Sequence, residues 1–277
     1  RYVADPTHRI RMHDFMHEHV EQVVASTSST RFPLSASVDA SGYMARIAAI
    51  EQVSLPLCAL LANLGYFAND DRHDEIAVRS IARLATANIE HNGRSDLLTL
   101  QRYRALLGLF ALGLGALAAR RPRPLARALG QLEVLGLGKA ASPLACELEP
   151  TRILEHDWLK TTSEFDGHFR PCSDLLHARL RALLATLIPD DESYDGLFDD
   201  LEYLLGATVL HYDGRRGPVG RFAWRRRYRD DGARDGVLMR HRVDLLAAGL
   251  FEGSGDKLDA CHQVYEQWVD KVSSSFH

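Results

Sequence analysis

Lysine is almost missing from this sequence. Of its 33 basic residues only Lys139, Lys160, Lys257 and Lys271 are lysines and the rest are arginines. That bias is read as the mark of GC-rich coding sequence and not of guanidinium chemistry. Cysteine is scarce as well: Cys58, Cys146, Cys172 and Cys261 are scattered, with no CxxC spacing. Their density is far below that of a disulfide scaffold, and the expectation is a reducing cytoplasm. The chain opens at Arg1 with neither an initiator Met nor a charged-then-apolar leader, which reads as a piece of a longer protein. A strong excess of one charge is also lacking. The formal net charge is −4, so the chain as a whole exerts little pull on nucleic acid or an anionic membrane.

The most apolar stretch, Ala105–Ala119, runs for 15 residues between Arg102, Arg104, Arg120 and Arg121. A membrane span needs about 20. Ala111, Gly115 and Ala119 recur at four-residue spacing, a strip of small residues against which a second helix can pack. The expectation is a central buried helix and no membrane crossing. With 46% hydrophobic and 25% charged residues in 277, the chain has the composition of a folded globular protein.

Helical periodicity dominates the rest. It predicts helices over His8–Ala25, from an Asp39 N-cap toward Leu57 with a kink at Pro56, and over Asp74–Glu90. Ser95 is expected to cap the long apolar helix, and Pro122 and Pro124 to open one over Leu125–Leu135. The pattern loosens from Gly136 to Gly167. Ser173 is then expected to cap a helix ending at Pro189, followed by helices over Tyr194–Leu210, Val237–Leu250 and Asp256–Val272. Gly214–Asp235, rich in Gly and Arg, reads as loop or hairpin. The fold class is all-α: an irregular multi-helix bundle, with room for two packed helical subdomains at 1–140 and 141–277.

Most sequence signals for chemistry fail on inspection. Gly138-Lys139 lacks the Gly and the Ser or Thr that a phosphate loop requires, since Glu133 and Ala140 stand there. Arg-x(4–6)-His pairs occur no more often than chance. His13, His17 and Glu21 share one helix face in the right types for metal ligation, yet a wet helix face is the simpler reading. Three His-Asp dipeptides suggest a metal-dependent phosphohydrolase built from His17, His73, Asp74 and Asp157. Asp191–Glu202 places oxygen side chains at positions 1, 3, 5, 9 and 12 and Gly196 at 6, the pattern of a calcium-binding helix–loop–helix. An acidic turn opening a helix would look the same. No metal or cofactor is expected from these signals.

Arg215–Arg242 holds ten Arg and three Asp, a local charge of +7 that leaves −11 elsewhere, with aromatics interleaved. Arg with aromatics suits phosphate contact and base stacking, which makes Arg221, Trp224, Arg225, Arg226, Arg227 and Arg229 the candidate nucleic-acid-binding residues. The rival reading pairs these arginines internally with the acidic stretch Asp190–Glu202.

Four runs carry a resemblance: SLPLCALLANLGYF (54–67), YRALLGLFALGLGALAA (103–119), LIPDDESYDGLFDDLEYLL (187–205) and GPVGRFAWR (217–225). Together they resemble the helical C-terminal region of large multidomain bacterial antiviral-defence proteins. The resemblance implies a sensing, scaffolding or oligomerising role, and it carries no catalytic residue over. The expected function is thus a non-catalytic regulatory or interaction domain of a larger bacterial cytoplasmic protein. Its partners would be a protein, other domains of the same polypeptide, or further copies in an oligomer. The alternatives are a nucleic-acid-contacting module, the phosphohydrolase and the calcium site.

Overall fold

The computed structural model describes residues 9–136, 140–214, 216–223 and 236–274. Among these the chain is all-α apart from one small hairpin. Helices α1 (Arg9–Ser26), α2 (Ala40–Phe67), α3 (Asp71–Thr86), α4 (Ser95–Leu100), α5 (Tyr103–Ala118) and α6 (Arg123–Gly130) come first. Strands β1 (Glu133–Leu135) and β2 (Ala141–Pro143) pair antiparallel, with Val134 opposite Ser142. Short helices α7 (Leu144–Glu147), α8 (Pro150–Ile153) and α9 (His156–Lys160) lead to α10 (Pro171–Leu184) and α11 (Asp191–Asp213). After a strap over 216–223 come α12 (Val237–Arg240), α13 (Arg242–Ala247), a 3-10 turn (Leu250–Gly253) and α14 (Gly255–Ser274).

The expected central helix is α5, buried from Tyr103 to Leu117. Its most extensive contact is with α2. Glycines set that approach: Gly65 and Gly115 lie where a Cβ would run into the partner helix's backbone. Helix α2 is itself long and apolar enough to cross a membrane by length and composition, and half of its apolar 18-residue stretch is buried inside the protein. Pro56 does not interrupt it. Pro56 and Gln52 are both exposed, so the carbonyl of Gln52, which lacks its usual helical donor, faces water. The buried apolar residues form one contiguous cluster running from Met16 on α1 to Val272 on α14.

The two arginines that bracket the apolar run at the start of α5, Arg102 and Arg104, are buried. Among the described residues no carboxylate forms an ion pair with Arg104. Its Nε donates to Leu84 O at 2.9 Å, and its other nitrogens donate to Val24 O, Thr27 Oγ1 and Ala87 O. One guanidinium thereby closes the C-terminal ends of α1 and α3, where carbonyls lack helical donors and the helix dipole is negative. Burial lowers its pKa to about 10, which leaves it charged at neutral pH. Arg102 pairs with Glu147 on α7 and donates to Leu135 O at 2.6 Å, tying the hairpin to the central helix.

Several local expectations are corrected. Ser95 begins the short α4 without a capping hydrogen bond, and the apolar helix starts separately at Tyr103. Asp70 caps α3, which puts the start of that helix at Asp71. Val237–Leu250 is broken at His241, where α12 ends and α13 begins, and Gly249 takes the left-handed conformation before the 3-10 turn. The calcium loop does not exist. Asp191–Asp213 is one continuous helix capped by Asp190, whose side chain accepts from Ser193 N at 2.7 Å. On a helix that turns about 100° and rises about 1.5 Å per residue, positions 1, 5, 9 and 12 share a face but are strung over roughly 16 Å, and position 3 points away, so these oxygens cannot close on one ion. Asp195 instead meets His177 Nε2 at 2.6 Å, and Asp191 meets Arg181 at 2.6 Å.

Candidate functional site

Buried ionisable side chains converge beside a cavity at the junction of α10, α11, α14 and the 216–223 strap. Gly217-Pro218-Val219-Gly220 needs its glycines. A Cβ on Gly217 would strike the backbone of Gly206 on α11, and one on Gly220 would overlap the carboxyl of Glu202. The strap lies flat on α11 for that reason. Side chains of α14 hold it there: Trp268 Nε1 donates to Gly217 O at 3.1 Å, Tyr265 Oη donates to Pro218 O, and Ser273 Oγ donates to Ala223 O at 3.1 Å. Arg216 stacks over the Trp268 ring with its Cζ 4.5 Å from the centroid.

Glu202 lies beneath the strap, 5% exposed. Its Oε2 accepts from the backbone N–H of Arg221 at 3.1 Å, and that same N–H reaches Ser173 Oγ at 3.0 Å. Ser173, expected as a helix cap, is therefore used to receive the strap, and α10 starts at Pro171 without a side-chain cap. Burial pushes the Glu202 carboxyl up to about 8. A hydrogen bond from Ser173 and the charge of Arg221 act against this rise, and the charges of Asp199 and Asp174 add to it. Glu202 is thus largely neutral at neutral pH. Beside it is a cavity of about 30 Å³ lined by His156, Arg170, Cys172, Ser173, Glu202 and Gly220, among others. That is room for one or two water-sized groups. Burial lowers the pKa of Arg170, while the charge of Glu202 opposes that, and burial followed by the charge of Lys160 lowers His156.

Of the six candidate nucleic-acid contacts, Arg221 is described; Trp224, Arg225, Arg226, Arg227 and Arg229 lie outside the described residues. The Arg221 side chain is 22% exposed, with Nε 4.0 Å from Asp174 Oδ1. Elsewhere in the Arg-rich stretch, Arg240 pairs with Asp200 and Arg242 with Asp259. The Arg240 pair is the internal pairing with the acidic stretch that the sequence suggests.

The His-Asp residues are dispersed over α1, α3 and α9. His17 and Asp157 are exposed. His73 Nδ1 meets Asp70 Oδ2 at 2.8 Å, and the buried Asp74 meets Arg123 Nε at 2.7 Å. Among the described residues no three His, Cys, Asp or Glu are grouped to hold a metal ion.

A second concavity opens at the C-terminal ends of α2 and α5. It encloses about 620 Å³ between Tyr66, Leu117, Leu187 and Leu197, with Arg120 and Arg240 among its charged lining. Phe67, 54% exposed, stands against Tyr66 with ring centroids 4.8 Å apart. Sequence reasoning missed both places. It took Glu202 as a calcium ligand and Ser173 as a cap, and the GPVG run was the one signal that the chain makes a close backbone approach there.

The fold and these sites define an all-α multi-helix protein with one buried acid–strap junction and one open groove. Comparison with known proteins finds no matching family model, no matching curated protein and no matching solved structure.

Proposed function

We propose that this chain is a non-catalytic helical regulatory or interaction domain, sensing or scaffolding, within a larger bacterial cytoplasmic protein of the antiviral-defence kind that its sequence resembles. The observation that carries this reading is the open groove of about 620 Å³. Buried Leu117 and Ile188 line it together with the exposed, charged Arg120 and Asp190, and the exposed Phe67 packs on Tyr66, one of its lining residues. A concavity of that size and lining suits a segment of a protein partner. The buried polar side chains support the same reading, because the charged Arg102 and Arg104 and the neutral Glu202 close helix ends, a hairpin and a strap.

The test is photo-crosslinking from a benzophenone side chain at position 197 in the parent polypeptide, in cells. The expected result is a discrete cross-link to another copy, another domain or one partner protein, lost on Leu187→Glu. Cross-links that Leu187→Glu leaves unchanged would overturn the reading, as would Mg²⁺- or Mn²⁺-dependent phosphatase activity of the purified chain.

A second reading, a nucleic-acid contact, draws on the strap. The backbone at Arg221 is pinned, and Trp224, Arg225, Arg226, Arg227 and Arg229 follow it directly in sequence. Anisotropy with single- and double-stranded oligonucleotides across a salt series decides it. Binding that weakens with salt, and again when those arginines are neutralised, supports it. No binding at low salt removes it.

A further inference from the structure

The strap is attached to the helical body through an acid that has to stay uncharged to be comfortable where it is. Several charged and titratable groups surround that acid. Arg170 and Asp174 come from the start of α10, where the Ser173 hydroxyl adds a hydrogen bond, Asp199 from its own helix α11, and Arg221 from the strap. Tyr265 on α14 reaches the strap, and His156 on α9 lines the adjoining cavity. Arg221 Nε stops 4.0 Å from Asp174, and its backbone N–H is the group that touches Glu202. Gly220 packs so closely on the carboxyl that a methyl group would not fit between them. While the strap is seated, water has little room around that carboxyl. Lifting the strap opens the site.

From this geometry we propose that Glu202 is a proton-operated latch: its neutral carboxyl seats the 216–223 strap on α11, and ionisation of that carboxyl favours the lifted strap. The physical basis is the cost of burying a charge. A carboxylate beneath the seated strap has room for one or two waters at most, whereas in the lifted state it is fully hydrated and titrates like an ordinary glutamate. The seated state therefore holds a proton that the lifted state gives up. By linkage, the opening equilibrium rises about tenfold per pH unit between the two pKa values. The upper limit of that window is near pH 8, where the seated Glu202 itself ionises. The latch thus operates across the neutral range, and the strap it controls leads in sequence straight into Trp224–Arg229. This inference stands apart from the interaction-domain reading and does not need it.

Hydrogen exchange of the Arg221 amide tests the latch. In the intact chain, protection corrected for intrinsic exchange should fall about tenfold per pH unit as pH rises through neutrality, and level off near pH 8. Protection that does not change with pH overturns the proposal. Glu202→Gln keeps the shape and an acceptor but cannot ionise, so its Arg221 protection should be flat over the same range. A variant that keeps the wild-type slope overturns the proposal too. Should the Gln variant not fold, Ser173→Ala serves in its place. It removes one acceptor and leaves the acid, so protection should drop by a constant factor while the slope remains. Carbon-13 NMR of the Glu202 carboxyl in the unmodified chain must then titrate where protection levels off. A carboxyl that titrates in the ordinary glutamate range rules the latch out.

Discussion

Gly65 on α2 and Gly115 on α5 bring two helix backbones together at the centre of the molecule. A Cβ on Gly65 would lie 2.9 Å from Ala116 N and 3.3 Å from Gly115 C, and one on Gly115 would lie 3.0 Å from Ala62 C. The obstacle on each side is backbone, which cannot swing away as a side chain can.

That contact fixes the sign of a helix-propensity experiment. In an open helix Gly→Ala stabilises by about 1 kcal/mol. At position 115 the seam has to separate, and Gly115→Ala should destabilise by about 1–3 kcal/mol. Gly196 on α11 has nothing within 4 Å of its Cβ position, so Gly196→Ala should stabilise by about 0.5–1 kcal/mol. Urea denaturation of both variants checks the pair. A Gly115→Ala protein as stable as the parent would mean that the helices do not meet as closely as described.

Arg104 makes a stronger prediction. Arg104→Met keeps much of the buried stem and removes every donor to Leu84 O, Val24 O, Thr27 Oγ1 and Ala87 O. Leaving such carbonyls buried without a donor costs about 1–3 kcal/mol each, less where the chain relaxes, so a loss of about 3 kcal/mol is expected. Arg104→Lys should recover only part of it, because one ammonium cannot reach the ends of two helices as a planar fork does. Thermal and urea midpoints read both.

Asp74 is buried on α3 and held by Arg123, with Arg127 further off at 3.8 Å. Burial raises its pKa, and the charge of Arg123 opposes that rise. A carboxyl with a raised folded-state pKa contributes most stability at low pH and loses it as pH climbs through the folded value. Arg123→Ala removes the opposing charge. Arg123 is partly exposed, so the loss at neutral pH should be about 1–2 kcal/mol, and it should shrink on acidification as Asp74 takes up a proton. A deficit independent of pH would contradict this account of the pair.

The Asp191–Glu202 segment should show no calcium response. Calorimetry with calcium should give only dilution heat, and far-ultraviolet circular dichroism should not change, since the segment is already helical. Calcium heat abolished by Glu202→Ala would reverse that conclusion.

The helices were legible where local chemistry and burial agree. Asp39 reads as an N-cap and accepts from Gly42 N at 2.8 Å, and the first helix ends at Ser26, one residue past its expected end. Ala105–Ala119 reads as a buried core helix and is one. Reading fails where a local signal has a distant competitor. Ser173 is a good cap by type, but the N–H that reaches it belongs to Arg221, 48 residues away. The acidic run looks like a loop because its oxygens alternate, and it is a helix because Asp190 caps it and Tyr194, Phe198 and Leu201 bury one face.

By itself the sequence determined that this is an all-α chain with a greasy central helix. Periodicity, capping residues and apolar runs act over one or two turns, and those forces are written in adjacent residues. Only the tertiary structure decided which charges go inside. Arg102 and Arg104 bracket an apolar run in the sequence, and α1, α3 and α7 close over them; Glu202 reads as the last oxygen of a calcium pattern, and the strap covers it. Burial of a charge depends on partners brought from far along the chain, and no short window of sequence contains them.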